Sequence, residues 1–300
     1  MEEIVIIKEC VGIDISKLDF VCVYAKETTK GDLLYSKSIK FPNNKTGFNQ
    51  LLKWYRKNSN KSIDALFLME ATGVYYESLA YHLHRLGKSV IVVLPNKSKH
   101  FTKSLNVKTK TDSVDAKVLS QFGIERKQKI WEPPLTILKT LREYTRLLSS
   151  LKRQKMALEN QNEAYTNSVG VDRFVFKTNT QLVHYFKKQI KKCEEEIIKH
   201  IASEKWLKRK IEQLMTIKGV GLLTVAIIVG ETQGFSMIEN RKQLTSYAGY
   251  DVVQKQSGTS LNGRTRISKK GNSNIRAALH MPSFVYIKYN AIVKDNYERI

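Results

Sequence analysis

Apolar residues come in short alternating or continuous blocks through the first ninety-odd positions, then settle into long helical stripes. Alternation predicts strands over 9–14 and 19–24, with Ile15-Ser-Lys-Leu18 as the turn, and a third strand over 33–41. Phe48, Leu51, Leu52 and Tyr55 form one stripe, so 46–57 is predicted helical. The apolar run 63–69, interrupted at Asp64 and closed by Glu70-Ala-Thr-Gly73, fits a strand buried on both faces in a parallel sheet. A helix over 75–86, a strand over 89–94 stopped by Pro95, and an amphipathic helix opening at Asp112 complete the series.

The order β-β-β-α-β-α-β-α is that of a ribonuclease-H-like fold. In it Asp14 closes the first strand and Glu70 the fourth, and parallel neighbours bring their carboxyl ends together. Asp112 and Asp115, three residues apart, share one helical face. Each acid also has a plain reading: Asp112 as a helix cap, Asp115 as a charge favouring the helix dipole, Asp14 as a turn residue with Asp19 as its rival. Glu70 is harder to explain so, because a carboxylate buried after five apolar residues is costly without a partner. Four acids at one sheet edge repel each other unless cations hold them. Two Mg²⁺ ions suit hard oxygen ligands and stabilise both oxygens of an in-line phosphoryl displacement.

No Asp or Glu falls between 78 and 111, whereas Arg85, Lys88, Lys97, Lys99, Lys103, Lys108 and Lys110 do. A solvated basic loop and a phosphate-backbone track beside a metal centre both fit this stretch. His100 and Phe101 within it could stack on a base.

Trp131-Glu-Pro-Pro134 reads as a linker. Beyond it, 135–162 is predicted as one long helix, with Leu138, Leu141, Tyr144 or Thr145, Leu148, Leu151 and Leu158 near a heptad seam. An irregular piece over 169–180 precedes a second helix over 181–205, with Leu182, Tyr185 or Phe186, Ile190, Cys193, Ile197 and Ile201. Facing heptads imply an antiparallel hairpin or an intermolecular coiled coil, structural rather than chemical in role.

The segment 214–231 has the pattern of a helix-hairpin-helix, where Gly219 and Gly221 let backbone amides approach a phosphate; a plain helix connection fits equally. From 252 to 294 there is again no acid, while Arg264, Arg266, Lys269, Lys270 and Arg276 are among the cations. This Gly- and Ser-rich stretch is either a disordered loop or a phosphate-binding loop carrying a nucleophilic hydroxyl. Ser257 beside Gly258 is the best placed. No local His activates it, so a metal-bound phosphate would have to supply the electrophile.

Composition narrows the class. The chain has 300 residues, 51 Lys plus Arg and 28 Asp plus Glu, a net charge of +23 that favours a polyanion, nucleic acid before membrane. No cationic leader precedes an apolar stretch, and the longest apolar run, 222–229, is too short for a bilayer. Cys10, Cys22 and Cys193 are odd in number and scattered, which suits free thiols in a reducing cytoplasm.

Gly-Ile-Asp14, Met-Glu70-Ala-Thr-Gly, Lys-Thr-Asp112-x-x-Asp115-Ala, Ile-Lys-Gly-Val-Gly221, Tyr-Ala-Gly249, Ser257-Gly and Arg-Ile-Ser-Lys-Lys-Gly-Asn272 together resemble, in order, the DEDD-type transposases of bacterial insertion sequences, the IS one-ten family. The resemblance spans nearly the whole chain. It implies a Holliday-junction-resolvase-like domain, a coiled coil and a C-terminal transposase domain, set here at 1–130, 131–213 and 214–300. It implies recombination of donor and target DNA guided by a bridge RNA, in a tetramer. Carried over by position, Asp14, Glu70, Asp112 and Asp115 hold Mg²⁺, and Ser257 forms the covalent bond to a DNA phosphate. The loop to Arg266 is slightly longer than the family pattern, which leaves Ser260 in reserve, and the family continues past the 273–289 helix further than this chain does. Two other readings remain: a structure-selective junction nuclease using only the acids and water, and a nucleic-acid-binding scaffold whose acids are structural.

Overall fold

The computed structural model describes residues 5–60, 62–236, 238–257 and 261–299. It divides into two compact units, residues 1–133 and 134–300.

The first unit is built on a six-stranded sheet. Strands β1 (Ile6–Ile15) and β2 (Asp19–Thr28) pair antiparallel, and β3 (Leu33–Tyr35) and β4 (Ile39–Pro42) share the outer edge of β2. The single strand expected over 33–41 is therefore two. On the other side β1 runs parallel to β5 (Leu66–Glu70), which runs parallel to β6 (Ser89–Val93), giving the order β3-β2-β1-β5-β6. The helices are α1 (Lys45–Asn58), α2 (Glu77–Arg85), α3 (Pro95–Ser104) and α4 (Asp112–Glu125).

Residue parity decides what each sheet face carries. Odd positions of β1 and β5, such as Val11, Ile13, Phe67 and Met69, join Phe48, Leu51, Leu79 and Leu83 of α1 and α2 in one core. Even positions, Cys10 and Leu68, meet Phe101 of α3 and Val118, Leu119 and Phe122 of α4 in another. The stretch read as a basic loop thus holds α2, β6 and α3. Phe101 is no base-stacking residue, because its ring stacks on Phe122 with centroids 4.5 Å apart. Trp131 belongs to this unit rather than to a linker: its amide donates to the Val90 carbonyl at 2.7 Å and its ring meets Tyr81 edge-on.

The second unit opens with the helices α5 (Thr136–Thr166) and α6 (Arg173–Ala202), paired antiparallel: Lys152 meets Glu194 at 2.8 Å, and Asn179 Nδ2 donates to Asn162 Oδ1 at 2.9 Å. Helix α6 begins within the segment expected to be irregular. Its inward side carries Asn179, Val183, Cys193, Ile197 and Ile201, whereas Leu182 and Tyr185 are exposed and lie off the seam. Helices α7 (Lys205–Met215) and α8 (Leu222–Glu231) close a shared core through Leu207, Ile211, Val225 and Val229 against Leu138, Leu141, Leu148 and Ile197. The boundary expected at 214 thus falls inside one packed body. Helix α9 (Arg241–Ala248), an antiparallel hairpin of β7 (Val252–Ser257) and β8 (Leu261–Ile267), and helices α10 (Ser273–Tyr289) and α11 (Ala291–Glu298) follow. The basic stretch read as a flexible or phosphate-binding loop is therefore largely a β-hairpin. Among the described residues no helix is long and apolar enough to cross a membrane.

Candidate functional site

Asp14 and Glu70 are brought together by register. Ile13 pairs with Met69 across the parallel β1–β5 ladder, so the next residues on each strand are these two acids. Both occupy even positions, the face covered by α4. Gly12 is what lets α4 lie so close: a Cβ there would fall on the Ala116 carbonyl oxygen and the Ser120 nitrogen of the helix. Thr111, not Asp112, caps that helix, its hydroxyl accepting from the Val114 amide at 3.3 Å. Asp112 and Asp115 are thereby left in the first turn with their carboxylates free of capping duty.

The electrostatics report the convergence. Burial pushes the Asp14 carboxyl up to about 6, and Asp115, Asp112 and Glu70 push it the same way, while Lys110 opposes them. Asp115 is also raised, by burial first, with Glu70 and Asp112 adding and Lys110 opposing. Asp14 and Asp115 are thus carboxyls whose ionisation is opposed by burial first and by neighbouring like charge second.

Glu70 is less exceptional than its sequence context suggests. It is half-buried, and it accepts from Thr72 Oγ1 at 3.0 Å and from Ser98 Oγ. Two hydroxyls already meet the cost of its burial. Asp19, the rival of Asp14, is occupied elsewhere: it pairs with Lys40 at 2.7 Å and accepts from Ser16 Oγ, and its carboxyl is held below the usual range by that lysine. An open groove of about 480 Å³ borders Asp112, lined by Ser38, Lys40, Thr111 and Ser113 among others. Lys108 and Lys110 are exposed on the approach to α4.

The donor set is hard, anionic oxygen, which suits Mg²⁺. Among the described residues no three acidic, histidine or cysteine side chains are gathered closely enough to close around one ion.

In the second unit Ser257 ends β7, its backbone in register with Leu261. Gly258 and the reserve nucleophile Ser260 lie outside the described residues. Arg264 and Arg266 project from alternate positions of β8 and are exposed, as are Lys269 and Lys270. Arg276 is different: its Nη1 donates to the Ala248 carbonyl at 2.7 Å, so it clamps the end of α9. Gly219, at φ +86°, lies against Val285 and the Pro282 carbonyl, a packing role, whereas Gly221 at the start of α8 has open space beside it.

One functional-looking centre escaped the sequence reading. Glu231, at the end of α8, is 1% exposed. Its carboxylate accepts from Arg146 Nε and Nη2 at 2.7 and 2.8 Å, and from Asn272 Nδ2 and Asn274 Nδ2 at 2.7 and 2.8 Å. Tyr247 donates to the Glu231 carbonyl at 2.9 Å. This cluster ties the Lys-Lys-Gly-Asn272 segment to the helical frame. Its signal was present in the sequence: Glu231 closes an apolar run just as Glu70 does.

Comparison with known proteins agrees with this layout. Residues 11–168 match a family model described as "Transposase", and residues 211–298 match one described as "Transposase IS116/IS110/IS902 family". Among curated relatives, the "Pilin gene-inverting protein" of Moraxella bovis is 28% identical over 285 residues, covering 93% of this chain and 83% of that protein. The protein of the same name from Moraxella lacunata is 28% identical over 287 residues with the same coverage. The chain belongs to the IS110-family transposases.

Proposed function

We propose that this transposase-family chain is an insertion-sequence recombinase that cleaves and rejoins DNA strands with Mg²⁺ and a serine nucleophile, directed by a bridge-type RNA. The observation that carries the reading is the meeting of Asp14 and Glu70 at adjacent parallel strand ends, under the first turn of α4, with Asp14 raised by burial and then by its three acidic neighbours. A central antiparallel pair joined to two parallel strands, with helices on both faces, supports a ribonuclease-H-like first domain over 1–130. The α5–α6 hairpin supports a coiled-coil region, and the α7–α8 turn, packed on the same core, supports a helix-hairpin-helix.

Asp14, Glu70, Asp112 and Asp115 would hold the metal, which on binding neutralises phosphate charge and polarises the phosphoryl group. Lys108 and Lys110 add positive charge beside them, and Arg264, Arg266, Lys269 and Lys270 would steady the DNA or RNA backbone in the second unit. The Ser257 oxygen would bond to phosphorus as one sugar oxygen leaves, so the phosphodiester is conserved. Rejoining then needs no external energy source. The net charge of +23 supports two polyanionic partners, DNA and a guide RNA. The working assembly is taken as a tetramer, and a pilin-gene inverter among the relatives is consistent with site-directed rearrangement.

Denaturing electrophoresis of the protein on labelled donor DNA tests the chemistry. A covalent adduct should form with Mg²⁺ and vanish in Ser257→Ala. An adduct that persists in Ser257→Ala moves the nucleophile to another residue, and cleavage without any adduct favours the water-using junction nuclease. Recovery of a discrete structured RNA with the purified protein tests the guide.

A further inference from the structure

Helix α7 presents two unlike sides. Leu207 and Ile211 are buried in the second unit's core. The neighbouring side carries Trp206, Arg209, Lys210 and Gln213 at helical spacing, and with Lys205 they line a groove of about 350 Å³, within the range of small-ligand sites. Trp206 is 42% exposed. An indole left in water forfeits one of the largest burial gains any side chain can make. Lys210 is fixed, its Nζ donating to the Gly234 carbonyl at 2.6 Å, which stiffens one wall. Lys208 sits 3.8 Å from Glu212 on the far side, while Lys205 and Arg209 have no acidic partner among the described residues.

We propose that Trp206, flanked by Lys205 and Arg209, is a stacking site for an unpaired nucleotide of a single-stranded segment of DNA or RNA. A flat ring between unneutralised cations matches a base next to its phosphates. A duplex keeps its bases inside the stack, out of reach of a surface indole. The residues around Trp206 are Lys, Arg, Lys and Gln, so a protein partner would have to bring acids to the ring, the case that the polyglutamate control below tests. Trp206 has no part in the chemistry proposed above, so failure of this site leaves that reading untouched.

Tryptophan fluorescence of the full chain tests it, because Trp54 and Trp131 are packed against the first unit's core. Single-stranded oligothymidylate should quench Trp206, and a duplex of equal length should quench it little. Trp206→Phe should abolish the quench and keep most of the affinity. Trp206→Leu should weaken binding about 5- to 150-fold, the factor for roughly 1–3 kcal/mol per stacked base. Arg209→Ala with Lys205→Ala should flatten the salt dependence of the quench. Quenching that survives in Trp206→Phe overturns the proposal, as does equal quenching by duplex. Equal quenching by polyglutamate also overturns it, in favour of an acidic protein partner.

Discussion

Arg146 and Glu231, 85 positions apart in the chain, meet in a two-pronged ion pair with Nε–Oε1 and Nη2–Oε2 distances of 2.7 and 2.8 Å. The pair joins the middle of α5 to the end of α8, and the two asparagines on the same carboxylate add the start of α10. Three helices are thus locked through one buried group.

Removing that group leaves four N–H donors from three side chains facing each other with no acceptor. Glu231→Ala should destabilise the second unit by about 2–6 kcal/mol, roughly 1–3 for each of the two asparagine amides left unpaired. Arg146→Ala should cost less, because the arginine side chain is 53% exposed and both asparagine amides remain. Denaturant titration of both variants, with hydrogen exchange over α8 and α10, checks the order.

The same pair sets a pH dependence. Burial works to raise the Glu231 carboxyl, but hydrogen bonds from Arg146 and Asn272, the Arg146 charge and Asn274 outweigh it, and the net shift is downward. A carboxyl depressed on folding contributes stability above its unfolded value of about 4.3 and loses it as pH falls through the folded value. Glu231→Gln should therefore flatten the acid limb of the stability curve below about pH 4.3, while Arg264→Gln, on the exposed hairpin, should leave it unchanged.

Asp14 has the opposite sign. Its carboxyl, raised to about 6, destabilises the metal-free fold when ionised. The penalty is complete above that value and disappears below the unfolded value of about 3.9. In chelator-treated protein, Asp14→Asn should stabilise by about 1–2 kcal/mol at neutral pH after allowance for solvent screening. The gain should shrink towards pH 4. Thermal melts at several pH values, with and without Mg²⁺, measure it.

Gly12→Ala should push α4 away from β1, since the new methyl meets helix backbone rather than a movable side chain. Overpacking of this kind costs about 1–3 kcal/mol. It should also displace Asp112 and Asp115 from the strand ends, so Mg²⁺ affinity should fall even where the protein remains folded. Calorimetric titration at a temperature well below the melt separates the two effects.

Much of the first unit was legible because strand and helix periods differ and its elements are short. The blocks around Asp14, Glu70 and Asp112 gave both the element order and the acids, and parity along β1 and β5 then put Asp14 and Glu70 on one face. The second unit was less readable. The heptad reading of α6 took in Leu182 and Tyr185, which face solvent, because a long helix with many apolar residues offers more than one stripe. The basic stretch after Asp251 looked loop-like from its Gly and Ser content, although long-range pairing between Val252 and Ile267 makes it a hairpin.

By itself the sequence determined the transposase-like blocks, the two acidic pairs and the strongly basic balance, since these are matters of residue type and near spacing. Tertiary structure decided which acid is capped, which is neutralised and which is left charged. Thr111 rather than Asp112 caps α4, Asp19 is claimed by Lys40, and Glu231 is held by groups from two other helices. The physical reason is that a carboxylate's state depends on burial and on the donors and charges within a few ångströms, and most of those come from distant parts of the chain.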